Sequence, residues 1–157
     1  MAYRLRPAKR SDEAVIWRAT METVWADVPE DEKAGLDRRT FEGAFRDYAA
    51  DFVEGRRGDR FVAEDEAGHL LGYMILGELR PFFSPQAVGF VYDIWVSPEH
   101  RRAGVAGFLL AEAERWARSH GYSKIKLEVA EQNRGARALY SKAGYATERN
   151  YMGKRLG

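Results

Sequence analysis

The chain has 157 residues, of which 45% are hydrophobic and 31% charged, a composition that excludes disordered, collagen-like and disulfide-scaffold classes. Its 25 Lys and Arg residues nearly balance its 24 Asp and Glu residues, and this net charge of +1 argues against a nucleic-acid-binding surface. The absence of cysteine excludes disulfides, thiolate metal sites and a cysteine nucleophile.

The start of the chain lacks an apolar signal segment, and no run approaches the ~18 apolar residues that a membrane span needs. We therefore expect a cytoplasmic protein without membrane contact, folded as a single domain over residues 1–157. The histidines lack the spacing of metal ligands, so we predict no metal site.

Apolar periodicity and turn residues predict strands and helices in the first half of the chain. These elements are a strand at 3–6, a helix that begins after 11–13 and ends before 28–32, a helix at 38–53, and strands at 60–64 and 69–79 joined by a turn at 65–68. One apolar face of the second helix is predicted from four aromatic residues at helical spacing: Phe41, Phe45, Tyr48 and Phe52.

The same reasoning predicts five elements in the second half. They are a strand at 88–96, a helix at 105–119 that Gly121 ends, a strand at 124–129, a helix that Asn133 caps and Gly144 ends, and an extended segment at 145–156. The buried stripe of the 105–119 helix is predicted to be Ala106, Leu109, Leu110, Ala113 and Ala117. The order ends strand, helix, strand, helix, strand, which predicts an α/β or α+β sheet with one parallel crossover.

The turn between the 88–96 strand and the following helix carries the chemistry. A helix start presents unpaired backbone N–H groups that attract anions. Gly104 and Gly107 let a phosphate approach the main chain, and Arg101 and Arg102 add positive charge. P-loop and dinucleotide motifs are missing, so the residues predict a diphosphate site of unspecified ligand. Alternatively, the glycines only permit tight packing.

Two motifs resemble those of the GNAT superfamily of acetyl-coenzyme A-dependent N-acetyltransferases. Residues 101–106, Arg-Arg-Ala-Gly-Val-Ala, resemble the Q/R-x-x-G-x-G/A signature, and residues 92–98 resemble the fourth strand that precedes it. Residues 133–145 resemble the N-x-x-A-x-x-L-Y-x-x-x-G-F/Y segment. The resemblance covers residues 88–145 by motif and the N-terminal half by element order. It implies a GNAT-like twisted mixed β-sheet flanked by helices on both faces.

The resemblance also implies which residues bind acetyl-coenzyme A. Backbone N–H groups hold its pyrophosphate along one turn, at Arg101, Arg102, Ala103, Gly104, Val105 and Ala106. The main chain of Val96 pairs with the pantetheine arm, Asn133 contacts the coenzyme, and Tyr140 lies beside its sulfur. Taken alone, Asn133 is equally well explained as a helix cap, and Tyr140 is better explained as a core side chain; within the motif, Tyr140 is expected to have the functional role.

The implied reaction is acetyl transfer from acetyl-coenzyme A, as cosubstrate, to a primary amine of a small molecule or peptide by direct attack. The N–H of Val96 is the expected oxyanion donor, and Tyr140 is expected to assist the leaving thiolate. A tyrosine of pKa ~10 donates uphill to a thiolate of pKa ~8.5. We therefore expect a positioned hydrogen bond from Tyr140, unless its surroundings lower its pKa.

The sequence does not assign the general base, for which several side chains and a water are candidates. Tyr92 stands where some family members carry a glutamate, and strand alternation predicts that Asp93 points to the opposite face. Glu78 and Glu22 are the other candidates. Substrate recognition is expected from the acidic segment 25–32 and from an aromatic wall at 80–85, although each also reads as an ordinary loop.

Alternatives to this reading remain. The protein would be an acyl-coenzyme A sensor without turnover, an acetyltransferase for protein N-terminal amines, an enzyme that uses another acyl donor, or a binder of nucleotide phosphates. Residues 145–157 are few for the family's last strands, so we expect an exposed sheet edge that a homodimer would cover.

Overall fold

A computed structural model describes residues 2–157, so Met1, the first residue of the predicted domain, lies outside the described part. The strands and helices are, in chain order, β1 (Arg4–Pro7), α1 (Glu13–Asp27), α2 (Glu30–Lys33), α3 (Arg38–Val53), β2 (Asp59–Glu64), β3 (Leu70–Leu79), β4 (Val88–Val96), α4 (Val105–Ser119), β5 (Ile125–Leu127) and α5 (Arg134–Lys142). No helix within residues 2–157 has the length and apolar character to cross a membrane.

The five strands form one sheet in the order β1-β2-β3-β4-β5. The first three pairings are antiparallel, and β4 pairs with β5 in parallel. A parallel pair needs a crossover connection, which α4 supplies. This arrangement confirms the predicted mixed sheet with one parallel crossover.

Each face of the sheet is covered by helices, because successive strand residues point to opposite faces. On one face, Met74 and Leu76 of β3 pack with Leu109 of α4 in a buried cluster. On the other, Tyr73 and Ile75 pack in a second buried cluster with residues of α1, α3 and β2. The predicted coverage by helices on both faces is confirmed.

Two predicted helix faces differ in detail from the structure. On α3, Ala49 and Val53 are buried, whereas Tyr48 is 74% exposed, so its placement on the buried face was wrong. Phe45 is partly buried against the cluster that contains Ala49, and Phe41 stacks on Phe45 at 5.9 Å. On α4, Val105 is buried in place of the half-buried Ala106.

The C-terminal strands are shorter than predicted. The strand predicted at 124–129 pairs with β4 only from Ile125 to Leu127, and the segment 145–156 forms no strand. Instead, Glu148 forms ion pairs with Lys124 and with Lys126, the latter at 2.8 Å. The hydrogen bonds from these two lysines lower the pKa of Glu148 to about 2. Side-chain charges therefore hold this segment where strand pairing was expected.

A β-bulge in β4 decides where its polar side chains point. The β3–β4 register shifts at this place and leaves Tyr92 as an extra residue. The Tyr92 ring lies 4.4 Å from the ring of Phe52 on α3, and Asp93 accepts a hydrogen bond from Thr20 on α1. Both side chains lie on the α1/α3 face, so their predicted opposition was wrong. Regular alternation fails at a bulge because one residue has no partner on the neighbouring strand.

Candidate functional site

The turn before α4, residues 101–106, has the backbone of an anion site; we call it the glycine turn. Gly104 has φ 84° and Arg102 has φ 63°, so both residues adopt the left-handed region. Within residues 2–157, the backbone N–H groups of residues 102–107 form no close, well-aligned hydrogen bond with another main-chain group. A Cβ added at Gly104 would meet no atom within 4 Å. The turn thus offers consecutive free donors at an open helix N-terminus.

An N-terminal side chain that the sequence analysis missed supports this turn. The Tyr3 hydroxyl donates to the carbonyl of Ala103, and the Tyr3 ring packs on Phe108 of α4, 5.7 Å between centroids. A residue near the start of the chain therefore holds one carbonyl group of the glycine turn in place. No local pattern around Tyr3 indicates this contact.

The main chain of Val96 faces away from β3. Val96 lies opposite Gly72, and the next amide, that of Ser97, donates to the carbonyl of Leu71 at 2.8 Å. In an antiparallel ladder, this bond identifies the Val96–Gly72 pair as the type whose N–H and C=O groups point outward. The β4–β5 pairing ends at Val91, so this outward edge has no neighbouring strand. The gap between the diverging strands leaves the N–H and C=O groups of Val96 without a partner strand.

Arg101 occupies part of that edge. Its Nε donates to the Val96 carbonyl oxygen at 3.2 Å, while the side chain remains exposed. The sequence analysis placed Arg101 here through its main chain and charge. The structure adds a side-chain contact that a ligand pairing with this carbonyl must displace.

The helix α5 carries the second motif. Asn133 is its N-cap, and its side-chain oxygen accepts from the amide of Ala136 at 3.2 Å, as predicted for a helix cap. Tyr140 is half-buried, and its hydroxyl has no hydrogen-bond partner among the described residues. Burial first, and then the charge of Asp93, raise the pKa of Tyr140 to about 12. Its surroundings therefore favour the protonated, hydrogen-bond-donating phenol.

A cleft of about 820 Å³ opens beside the end of β4. Its walls come from one face of α1, from the start of β3, from the segment after β4 and from the residues before α5. They include both signs of charge: Arg18, Glu22, Asp27, Glu99 and Arg101. Trp95 and Asn133 also line it, so the cleft connects the end of β4 with the start of α5.

A buried hydrogen-bond network lies on the α1/α3 face of the sheet. Asp93 Oδ2 accepts from the Thr20 hydroxyl at 2.5 Å and from the Tyr73 hydroxyl at 2.7 Å. Burial raises the pKa of the Asp93 carboxyl, and these two hydrogen bonds oppose that rise. The network fixes the carboxylate beneath α1 and within electrostatic reach of Tyr140.

The structure separates the four side chains considered as bases. Glu78 lies opposite Gly89, which is about 20 Å from Val96 at ~3.3 Å per strand residue. The Tyr92 hydroxyl donates to the Glu78 carbonyl, so Tyr92 belongs to that distant end as well. Glu78 and Tyr92 therefore lie away from Val96 and are no longer candidates for the general base. Glu22 lines the cleft but forms an ion pair with Arg38 at 2.7 Å, and Asp93 lies within the buried network.

One cleft carboxylate escaped the sequence analysis as an individual residue. Asp27 ends α1 inside the acidic segment 25–32, and the cleft reaches it. The neighbouring Trp25 ring is covered by the cations of Lys33 and Arg38, at 5.5 and 5.0 Å from its centroid. Asp27 is therefore the carboxylate of this segment that lines the cleft, next to Ala26.

The predicted aromatic wall lies elsewhere. Phe82 and Phe83 follow β3 at the end far from Val96, and they are 86% and 65% exposed. Arg149 and Lys126 lie over their rings. These residues do not line the cleft, so the structure adds no support for their expected part in recognition. Within residues 2–157, no three His, Asp or Glu side chains are grouped to hold a metal ion.

Comparison with known proteins agrees with this geometry. The model of the Acetyltransferase (GNAT) family matches residues 17–145. The uncharacterized N-acetyltransferase YhfO of Bacillus subtilis is 31% identical over 103 residues, which make up 64% of this chain and 66% of that protein. The match thus spans just under two thirds of the length of this relative.

Solved structures share the fold. A putative acetyl transferase from Pyrococcus furiosus has a TM-score of 0.80 at 23% identity, covering 99% of this chain and 100% of that one. AAC(6')-Iy, solved in complex with the bisubstrate analog CoA-S-monomethyl-acetylneamine, has a TM-score of 0.68 at 16% identity, covering 100% and 99% of the two chains. GNAT acetyltransferases use acetyl-coenzyme A as cosubstrate. Since the family model spans most of the sequence and includes both motifs, this chain belongs to the GNAT acetyltransferase family.

Proposed function

We propose that residues 1–157 form one acetyltransferase domain that transfers an acetyl group from acetyl-coenzyme A to a primary amine of a small molecule or peptide. One observation carries this proposal: the glycine turn and the edge of β4 at Val96 both present backbone N–H groups without a main-chain partner, and Tyr140 carries an unpartnered hydroxyl. Anion-binding amides, an open strand edge and a phenol are the groups that a phosphorylated thioester needs.

The glycine turn fits a diphosphate. Its N–H groups lie at the N-terminus of α4, where the helix dipole adds ~0.3–1 kcal/mol of attraction for an anion. Arg101 and Arg102 are exposed there and add positive charge. The open space at Gly104 lets phosphate oxygens reach the main chain. We propose that the backbone from Arg101 to Ala106 holds the pyrophosphate and that Asn133 contacts the coenzyme.

The strand edge fits the pantetheine arm and the reacting carbonyl. Val96 has an outward N–H and C=O, and its carbonyl becomes available when the Arg101 side chain moves aside. An amide donor fixed in a sheet is preorganised, so it stabilises an oxyanion without reorganisation. We assign the Val96 N–H to the oxyanion and Tyr140 to the leaving sulfur, as a hydrogen-bond donor.

The acceptor follows from the chemistry of the reaction. A lysine-like amine of pKa ~10.4 is neutral in only about one molecule per few thousand at pH 7. The site therefore requires a proton acceptor near the amine. The cleft supplies carboxylates, and AAC(6')-Iy was solved with an analog that joins coenzyme A to acetylneamine, which favours a small-molecule amine.

The test combines binding and turnover. Isothermal titration with acetyl-coenzyme A measures affinity, and thiol release in the presence of a panel of amines measures transfer. The matched variants are Gly104→Asp and Gly104→Asn, because both side chains tolerate the left-handed region and differ only in charge. A carboxylate in the glycine turn repels the phosphates, so we expect Gly104→Asp to bind acetyl-coenzyme A at least tenfold more weakly than Gly104→Asn.

Each result has a definite meaning. Equal affinities of the Gly104→Asp and Gly104→Asn variants would refute the pyrophosphate assignment. Absence of any binding heat at millimolar acetyl-coenzyme A would refute the proposal that the protein is an acetyl-coenzyme A-dependent enzyme. Binding without thiol release across the whole panel would favour a sensor of acyl-coenzyme A, and equal competition by ATP would favour a general nucleotide-phosphate binder.

A further inference from the structure

Asp27 stands out among the cleft residues because its carboxylate has no partner. Within residues 2–157, it accepts no hydrogen bond and forms no ion pair, although the side chain is half-buried. By contrast, Glu22 in the same cleft is paired with Arg38. A half-buried carboxylate without a partner costs free energy unless a ligand or solvent satisfies it. Asp27 is therefore available to a ligand in the cleft.

The surroundings of Asp27 favour a cation. Asp27 is the last residue of α1, where the free carbonyls of a helix end carry partial negative charge. Burial first, and then the charge of Asp93, raise the pKa of the Asp27 carboxyl, and Lys33 on α2 opposes this rise. Two carboxylates and a helix C-terminus thus contribute negative potential at one place, with a single lysine acting against it.

The same place adjoins the proposed thioester position. The charges of Asp93 and Asp27 both raise the pKa of Tyr140, so the phenol lies within electrostatic reach of the two carboxylates. The side-chain amide of Gln132, just before α5, donates to the main-chain carbonyl of Asp27 at 2.8 Å. This bond ties the end of α1 to the segment that leads into Tyr140. An amine bound at Asp27 is therefore held beside the segment that leads into α5.

We propose that Asp27 binds the acceptor as an ammonium ion and takes one of its protons before attack, which makes cationic primary amines the substrate class. This inference rests on the proposed function. The carboxylate accepts one N–H proton and releases a neutral amine. The nitrogen lone pair then forms the C–N bond as the C–S bond breaks, with its electron pair leaving on sulfur. A second proton from nitrogen passes to the thiolate, and Asp27 returns its proton to water.

Other charged groups set the background for any pH dependence. The cleft is lined by Arg18 and Glu22 of α1 and by Glu99, His100 and Arg101 of the segment after β4. Lys33 of α2 and Asp93 of β4 shift the pKa of Asp27 through their charge, and Asp27 in turn shifts that of Tyr140 on α5. Replacing Asp27 alone isolates its contribution from theirs. In a variant without the Asp27 carboxylate, recovery of kcat/KM at alkaline pH depends on the amine rather than on these groups, because the fraction of neutral amine grows with pH.

The variant Asp27→Asn keeps the shape and removes the charge. The probes are propylamine, 1,4-diaminobutane, spermidine and neamine, each with saturating acetyl-coenzyme A. We expect kcat/KM for the best amine to fall about 100-fold at pH 7, with a raised KM, and the deficit to shrink toward pH 9.5 as neutral amine accumulates. Acetyl-coenzyme A affinity is expected to stay within twofold, and Asp27→Glu to recover part of the activity.

The control is Asp47→Asn, which removes one exposed carboxylate of α3 outside the cleft. We expect it to match the wild type in rate, KM and pH profile. An Asp27→Asn enzyme with wild-type KM and pH profile would overturn this inference while transfer by the wild type upholds the proposed function. A wild type that acetylates none of the amines would overturn both.

Discussion

Tyr140 provides a direct test of the proposed chemistry because its hydroxyl makes no bond that folding needs. The ring is half-buried on α5, and no described residue accepts from or donates to the hydroxyl. Tyr140→Phe therefore removes one oxygen atom and leaves the packing of the ring in place. Any loss of rate in this variant reports on the reaction rather than on the fold.

The size of the expected loss follows from the pKa of Tyr140, about 12. Full proton transfer from this phenol to a thiolate of pKa ~8.5 is uphill by about 5 kcal/mol, at ~1.4 kcal/mol per unit. Tyr140 is thus a poor proton donor and a good hydrogen-bond donor. A hydrogen bond to a charged group contributes ~1.5–3 kcal/mol, so we expect kcat to fall about 10- to 100-fold.

Steady-state thiol release gives kcat, and isothermal titration gives the affinity for acetyl-coenzyme A, which should change less than twofold. The matched control is Tyr145→Phe: the Tyr145 hydroxyl is buried without a partner, and its ring lies 6.0 Å from that of Tyr140. Removing an unpaired buried hydroxyl should leave kcat unchanged and stability equal or higher. A normal kcat in Tyr140→Phe would refute the assignment, as would equal losses in the two variants.

Three further changes test the framework around the site. Tyr73→Phe removes one donor from buried Asp93, and we expect urea denaturation to show a loss of about 1–3 kcal/mol; an unchanged midpoint would contradict the network. Tyr3→Phe removes the hydrogen bond to the Ala103 carbonyl, so we expect calorimetry to show up to tenfold weaker binding of acetyl-coenzyme A. Unchanged affinity would show that the glycine turn keeps its conformation without this hydrogen bond. The hydrogen bonds of Arg6 are the main cause that lowers the pKa of buried Asp12, so this pair stabilises the fold above pH ~4 and loses its effect as the pH falls further. Arg6→Met should therefore cost about 3 kcal/mol at pH 7 and clearly less at pH 2, measured by denaturation at both values; an equal cost at both would contradict the pairing.

The sequence predicted the parts of the site that depend on short stretches of chain. Asn133 caps α5 through a contact three residues away, and the predicted turn before α4 is present, with Gly104 in the left-handed region. A cap and a glycine-bearing turn both depend on local backbone geometry, since a cap needs an oxygen and a positive φ favours glycine. The mixed sheet was also predicted, because the strands and helices alternate in a detectable order.

The sequence alone determined most of the helices and strands, the turn before α4 and the family resemblance, since each depends on neighbouring residues. Only the tertiary structure decided where the charges meet. The bulge at Tyr92 turned Asp93 toward α1, and the fold brought Asp27, from one half of the chain, within electrostatic reach of Tyr140, from the other half. Electrostatic effects act through space, so a pKa or an unpaired carboxylate depends on residues that no local pattern connects.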